Sequence, residues 1–264
     1  MDLGLAGCVA IVSGSSSGMG RAAALSLARE GCNVTLFARR QELLDAAVAE
    51  IEGLGSGAGA LAVAGDSTNP AALRAAVDGT LERFGKIDIV VNNTGGPPAG
   101  GFADFDDDGW RAAWELTLMS TLRLTRLALP ELRKSGRGRV VNITSSAVKA
   151  PIDILGLSNG ARSGLTGFVA GLARKVARHN VTINNLLPGP FDTDRLRANL
   201  ESRAKTAGKA VAAFRQAQME ANPSGRFGTP AEFGLACAFL CSAHAGYIVG
   251  QNLLIDGGGY PGTF

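Results

Sequence analysis

Read as apolar and polar positions, the chain alternates two rhythms. Short runs rich in Val, Ile and Leu are followed by longer stretches whose apolar residues recur at spacings of three and four. Continuous apolar runs of strand length suit strands buried on both faces, and the three-and-four spacing suits helices with one apolar face. Strands are predicted at Cys8–Ser13, Asn33–Ala38, Ala60–Ala64, Ile87–Asn92, Arg139–Thr144, Thr182–Leu187 and Leu253–Ile255. Helices are predicted near Met19–Glu30, Gln41–Leu54, Pro70–Phe84, Asp107–Lys134, Gly156–His179 and Pro230–Ser242. Pro70 and Pro230 fall at helix starts, where a missing N–H costs nothing. This alternation predicts the α/β class: a doubly wound parallel sheet of about seven strands with helices on both faces, in a single domain covering 1–264.

One stretch breaks the rhythm. Residues 191–228 are polar and basic, with Arg195, Arg197, Arg203, Lys205, Lys209 and Arg215. Excursions of this length are commonly lids or disordered loops. Helix formers over Leu196–Ala221 predict either a helical lid at the carboxyl ends of the strands or a solvated helical excursion. The Gly/Ala stretch Gly53–Gly59 reads as a turn between helix and strand.

Composition narrows the picture. Hydrophobic residues make up 46% and charged ones 19% of 264 residues, with a net charge of +3. That balance argues for a packed globule and against disorder, nucleic-acid binding or a membrane-surface role. No uninterrupted apolar run reaches the roughly 18 residues a membrane span needs, and the amino terminus lacks a basic region and cleavage pattern, so a cytoplasmic location is expected. Cys237 and Cys241 lie four apart on a helix without a second pair of ligands at metal spacing. The four cysteines therefore read as reduced, buried thiols, and no metal is expected. His179 and His244 read as surface residues at helix ends.

The first strand runs into Ser13-Gly14-Ser15-Ser16-Ser17-Gly18-Met19-Gly20 and then into a helix. Glycines at such a junction let backbone N–H groups approach a pyrophosphate, and the helix amino end adds partial positive charge. After the second strand, where an NAD site offers a carboxylate to the ribose 2′-hydroxyl, stand Arg39 and Arg40. A guanidinium there can grip a 2′-phosphate, so NADP(H) is expected over NAD.

The Gly-x-x-x-Gly-x-Gly spacing resembles the turn of the short-chain dehydrogenase/reductase family, with Ser13 in place of a threonine. The likeness continues along the whole chain: Gly65-Asp66-Ser67, Asn92-Asn93-Thr94-Gly95, Leu187-Pro188-Gly189-Pro190-Phe191-Asp192-Thr193, Gly225–Glu232 and Gly250–Gly258. It implies a Rossmann-type domain whose cofactor is held by Gly14, Ser16, Ser17, Gly18, Met19, Gly20, Arg39, Asp66, Ser67, Asn93, Thr94, Gly95, Arg162, Pro188, Gly189, Phe191 and Thr193. In that family a Tyr donates a proton to the carbonyl oxygen as hydride arrives, a Lys four residues on lowers its pKa and holds the ribose, a Ser orients the carbonyl and an Asn supports a relay. The resemblance puts Ser145 at the Ser position, Ser158 at the Tyr position, Arg162 at the Lys position and Thr117 at the Asn position.

A serine hydroxyl is shorter and less acidic than a phenol, and arginine exchanges no proton near neutral pH. Tyr260, Tyr247, Lys149 and Asp153 are the remaining candidates for a donor. Two readings follow. One is an NADP(H)-dependent oxidoreductase, resembling a 3-oxoacyl-carrier-protein reductase, acting on a small carbonyl or alcohol substrate or an acyl thioester with an atypical proton donor. The other is a catalytically silent NADP-binding sensor or partner subunit. The long helix at 107–134 and the apolar face of Gly156–His179 resemble the family's dimer interface and imply a homodimer or homotetramer.

Overall fold

The computed structural model describes residues 1–263. Its strands are β1 (Val9–Ser13), β2 (Asn33–Ala38), β3 (Ala60–Ala64), β4 (Ile89–Asn92), β5 (Arg139–Ile143), β6 (Thr182–Pro188) and β7 (Asn252–Ile255). All are parallel and form one sheet in the order β3-β2-β1-β4-β5-β6-β7. Helices α1 (Gly18–Arg29), α2 (Gln41–Glu52), α3 (Pro70–Phe84), α4 (Asp107–Trp114), α5 (Ser120–Lys134), α6 (Gly156–Val176), α7 (Asp194–Ala207), α8 (Val211–Glu220) and α9 (Pro230–Cys241) connect them.

Successive strand residues face opposite sides, so each strand feeds two cores. Ala10, Val12, Ile89 and Val91 pack with α1, α2 and α9 on one face, while Ile11 and Val90 pack with α3, α5 and α6 on the other. This is why the central strands read as unbroken apolar runs. α1 and α9 approach backbone to backbone: a methyl on Gly234 would lie 2.4 Å from the Ala22 carbonyl oxygen. The strand order reverses between β1 and β4, and crevices of doubly wound sheets open at the carboxyl ends of such a pair.

The predicted helix at 107–134 is interrupted. A π-helical turn, Glu115–Met119, separates α4 from α5. The hydroxyls of Ser120 and Thr121 donate to the carbonyls of Leu116 and Thr117, which competes with the regular ladder just where it widens. The predicted lid is helical in two pieces, α7 and α8. Thr193 caps α7 by accepting from Leu196 N–H at 3.3 Å, and a bridge between Phe191 and Gly228 closes the excursion at its base.

Among the described residues no helix is long and apolar enough to cross a membrane, and no cluster of three or more His, Cys, Asp or Glu side chains could hold a metal ion. All four cysteines are free and buried. His179 and His244 lie in exposed positions.

Candidate active site

The turn between β1 and α1 is held from the side by the segment after β4. Ser13 Oγ donates to the Asn93 carbonyl and accepts from Asn93 N–H, both at 2.9 Å, and Asn93 Nδ2 donates to the Gly14 carbonyl at 2.9 Å. A methyl on Gly20 would lie 2.3 Å from the Gly14 carbonyl oxygen. Gly14 and Gly18 have φ of +60° and +57°, where an L side chain is strained. These glycines therefore answer to both backbone conformation and close packing.

The amino end of α1 is bare. Ser17 precedes it in extended conformation, makes no side-chain cap, and the first turn carries no acidic residue. Ser15 Oγ is buried without a hydrogen-bond partner. A helix start with free N–H groups and a partial positive charge suits an anion. Ser16, Ser17 and Met19 stay partly open around it.

At the end of β2, Arg39 is exposed, and Asp66 follows β3 on the neighbouring strand. The Thr68 N–H and hydroxyl donate to Asp66 Oδ1 at 2.8 and 2.7 Å, and hold its carboxyl below the usual range with help from the Arg39 charge. Asp66 is thus a fixed acceptor beside Ser67.

Three of the four candidate catalytic residues, Ser145, Ser158 and Arg162, gather at the end of β5 and the amino-terminal part of α6. Ser145 follows β5 by two residues and accepts from Ala147 N–H at 3.1 Å. One helical turn joins Ser158 and Arg162, as their spacing predicts: Arg162 Nε donates to Ser158 Oγ at 3.1 Å. Arg162 Nη1 donates to the carbonyls of Ile143 and Thr144, both at 2.9 Å. Arg162 is buried, and its pKa falls to about 10, first through burial and then through the nearby charge of Arg195. It stays cationic at neutral pH. Thr117 sits inside the π turn, 1% exposed, its hydroxyl without a partner. No hydrogen bond joins Thr117 or Ser145 to the Ser158–Arg162 pair among the described residues.

Of the nicotinamide-side candidates, Pro188 pairs with Ile255 in β7, and Gly189 fits so tightly that a methyl there would lie 2.7 Å from Asp256 Cα. Thr193 comes to the amino end of α1, within 3.5 Å of where a methyl on Gly18 would be. Phe191, one of the residues expected at the cofactor, turns its side chain into the core. It is 5% exposed and meets the Phe233 ring edge-on at 5.4 Å, so only its backbone is left for a ligand. Thr94 and Gly95 remain accessible in the loop after β4.

The candidate donors separate cleanly. Tyr247 is fully exposed and Asp153 lies on an exposed loop. Tyr260 folds back: its N–H donates to Asp256 Oδ2 at 2.7 Å and the Lys149 ammonium lies over its ring at 5.6 Å. Lys149 is four residues after Ser145, so the phenol stands at the edge of the site loop.

Two features escaped the sequence reading. Asn92, Asn142, Asn185 and Asn252 stand in register on neighbouring strands and form a ladder of amides, each donating to the next at 2.7–2.9 Å. Their strands read as apolar, and only the recurrence of Asn in or beside four of them hinted at it. Arg195, a lid residue, lays its guanidinium on Gly96; a methyl there would lie 2.3 Å from Arg195 Nη2. Nothing in the local pattern pairs those two positions.

Residues 14–259 match a family model described as enoyl-(acyl carrier protein) reductase. The chain is 33% identical over 261 residues to the 3-oxoacyl-(acyl-carrier-protein) reductase of Vibrio cholerae, covering 98% of this chain and 99% of that one. The solved L-sorbose reductase from Gluconobacter frateurii, complexed with NADPH and L-sorbose, is 32% identical with a TM-score of 0.94, over 99% of this chain and 100% of that one. A 7α-hydroxysteroid dehydrogenase complexed with NADH and 7-oxo glycochenodeoxycholic acid is 29% identical with a TM-score of 0.87, over 100% and 98%. Fold and relatives agree, and the chain belongs to the short-chain dehydrogenase/reductase family.

Proposed function

We propose that the protein is an NADP(H)-dependent oxidoreductase that interconverts a carbonyl and an alcohol on a small-molecule substrate, as the names of its relatives suggest. The observation that carries this reading is the uncapped amino end of α1 beneath a glycine turn braced by Asn93. Its N–H groups, the buried Ser15 hydroxyl and a first turn without acidic residues fit a pyrophosphate. Arg39 supports the 2′-phosphate form, and Asp66 with Ser67 suits the adenine end. Relatives are known with NADPH and with NADH, so the preference rests on Arg39.

When bound, the nicotinamide exchanges hydride with a substrate carbon. The chain's part is to hold and polarise. Arg162 offers ribose hydroxyls a fixed, permanent charge, with Thr193 and Gly189 beside the ring. Ser145 Oγ accepts from Ala147 N–H and keeps its own proton for a carbonyl oxygen. The oxygen takes its proton from an atypical source, since Ser158 Oγ is engaged by Arg162 and neither is an acid at neutral pH. Tyr260, with the Lys149 ammonium over its ring, is the phenol in contact with the segment that follows Ser145.

A homo-oligomer is part of the proposal. Trp114 on α4 and Phe168 on α6 each leave 40% of their surface open, on the helices the resemblance assigns to subunit contact. The second reading, a silent NADP-binding sensor or partner subunit, draws on the Ser158–Arg162 bond, which leaves no tuned acid on α6.

Consumption of NADPH across a panel of ketones, acyl thioesters and quinones tests the enzyme reading. Turnover of any class supports it. NADPH binding with no turnover across the panel, in the native protein and in Ser158→Tyr/Arg162→Lys, favours the sensor.

A further inference from the structure

We propose that Tyr260, held by Lys149, is the proton donor of the reaction, its hydroxyl meeting the substrate's carbonyl oxygen beside Ser145. The inference deepens the oxidoreductase reading and rests on it.

The carboxyl-terminal tail is built to turn this phenol back over the ends of the strands. β7 ends at Ile255 beside Pro188, the Gly189 N–H donates to the Ile255 carbonyl at 2.8 Å, and Asp256 packs on Gly189. The tail therefore leaves the sheet next to the segment assigned to the nicotinamide side. Gly257 and Gly258, with φ of +68° and +85°, reverse its course, which an L side chain would resist. Asp256 closes the turn by accepting from Gly258 N–H at 3.0 Å and from Tyr260 N–H at 2.7 Å. Just beyond α8, Asn222 Nδ2 donates to the Asp256 carbonyl at 2.8 Å and Ser224 N–H to the Gly257 carbonyl at 3.1 Å, so the end of the lid braces the tail.

On its other side the phenol meets the loop that carries Ser145. Lys149 N–H donates to the Ser146 carbonyl at 2.9 Å, one tight turn beyond Ser145, and the Lys149 ammonium lies over the Tyr260 ring at 5.6 Å. A cation so placed is attracted to the face of the ring, and Lys149 forms no ion pair among the described residues. Gly262 has no positive φ to call for glycine, yet a methyl there would collide with the Tyr260 hydroxyl. The tail thus keeps side chains off the phenol oxygen. Tyr247, the other tyrosine, is fully exposed ahead of β7, at the opposite ends of the parallel strands.

Tyr260 therefore stands between the two segments given to the carbonyl, joined to Gly189 through Asp256 and to Ser145 through Lys149. As hydride from the cofactor reaches the carbonyl carbon, the Tyr260 O–H bond breaks and its proton joins the carbonyl oxygen. An alcohol and a phenolate result, and water returns a proton to the phenolate. Lys149 is a positioning residue: its ammonium holds the ring and offsets the negative charge that forms on it.

The test has two arms. In the first, N-acetylimidazole acetylates phenols, and mass spectrometry scores each of the two tyrosines. Saturating NADP+ is expected to slow acetylation of Tyr260 severalfold and to leave Tyr247 unchanged. The second is turnover with NADPH and the compound of the ketone, acyl thioester and quinone panel that the native protein reduces fastest. Tyr260→Phe is expected to lower kcat by about 100-fold or more at unchanged NADPH affinity, whereas Tyr247→Phe keeps it. Lys149→Met lowers kcat by about tenfold, and Lys149→Arg, which keeps a cation over the ring, restores most of it. Circular dichroism certifies each variant. An unchanged kcat in Tyr260→Phe, or acetylation of Tyr260 that NADP+ does not slow, overturns the proposal and leaves the oxidoreductase reading in place. Failure of the native protein to bind NADP+, or to turn over any compound of the panel, overturns both.

Discussion

At Gly20 the space for a side chain is already taken: the Gly14 carbonyl and Asn93 Nδ2 lie 2.3 and 2.6 Å from where a methyl would sit. Gly20→Ala must push the turn away from α1, which costs about 1–3 kcal/mol as overpacking does. NADPH affinity is expected to fall further than this stability loss explains, because the displaced backbone is the proposed phosphate contact. Chemical denaturation and a binding titration on one variant separate the two effects. Arg39 is a cleaner probe, being exposed and remote from the core. Arg39→Ala is expected to weaken NADPH by about tenfold or more while leaving NADH nearly unchanged, since only the phosphate form meets the guanidinium. These residues were legible because glycine spacing and a missing acid are local signals. The Arg162–Ser158 bond was legible from helical spacing. Arg195 was not, because its partner position lies on another strand's loop and no pattern in one chain links them. The ring of Phe191 was not legible for a related reason: the motif places its backbone, and packing against Phe233 decides its ring.

Elements came out of the sequence in type and order, with differences at their ends that have local causes. β4 starts at Ile89, not Ile87. Asp88, just before it, spends its carboxylate on Val9 N–H at 2.9 Å and on the Ser135 hydroxyl at 2.6 Å. The π turn was invisible because apolar spacing barely changes across one extra residue, while the hydroxyls that favour it act through the backbone. The amide ladder gives an element-scale prediction. Asn142→Ala removes two rungs and leaves the buried partners on β4 and β6 short of a bond, which costs about 1–3 kcal/mol for each group stranded. A lowered denaturant midpoint with unchanged slope checks it. The base of the lid gives a second. Hydrogen bonds from Arg215, then Arg197, hold Asp192 below the ordinary carboxylate range. A depressed carboxylate stabilises the folded state fully above its unfolded value of about 3.9, and that contribution fades as pH falls through the lower folded value. The difference in thermal midpoint between the native protein and Arg215→Met should therefore shrink on going from about pH 6 to about pH 3. A difference that holds constant through that range would show that the pairing with Asp192 is not its source.

For the whole molecule, alternating strand and helix patterns sufficed to give the doubly wound sheet, because parallel strands buried on both faces leave little else for such runs to do. Chain order alone does not dictate which strands are neighbours, yet the reversal between β1 and β4 brings Gly14 and Asn93 together and creates the crevice. Assembly follows from surfaces, and light scattering is expected to find a homodimer or homotetramer; a monomer at all concentrations would leave Trp114 and Phe168 unexplained as contact residues. The account stands on what fills the crevice. Calorimetric titration of the native protein with NADPH and NADH measures that directly. Saturable binding of both, with NADPH tighter by about tenfold or more, is the predicted result; no binding of either, or equal affinity for the two, would contradict it.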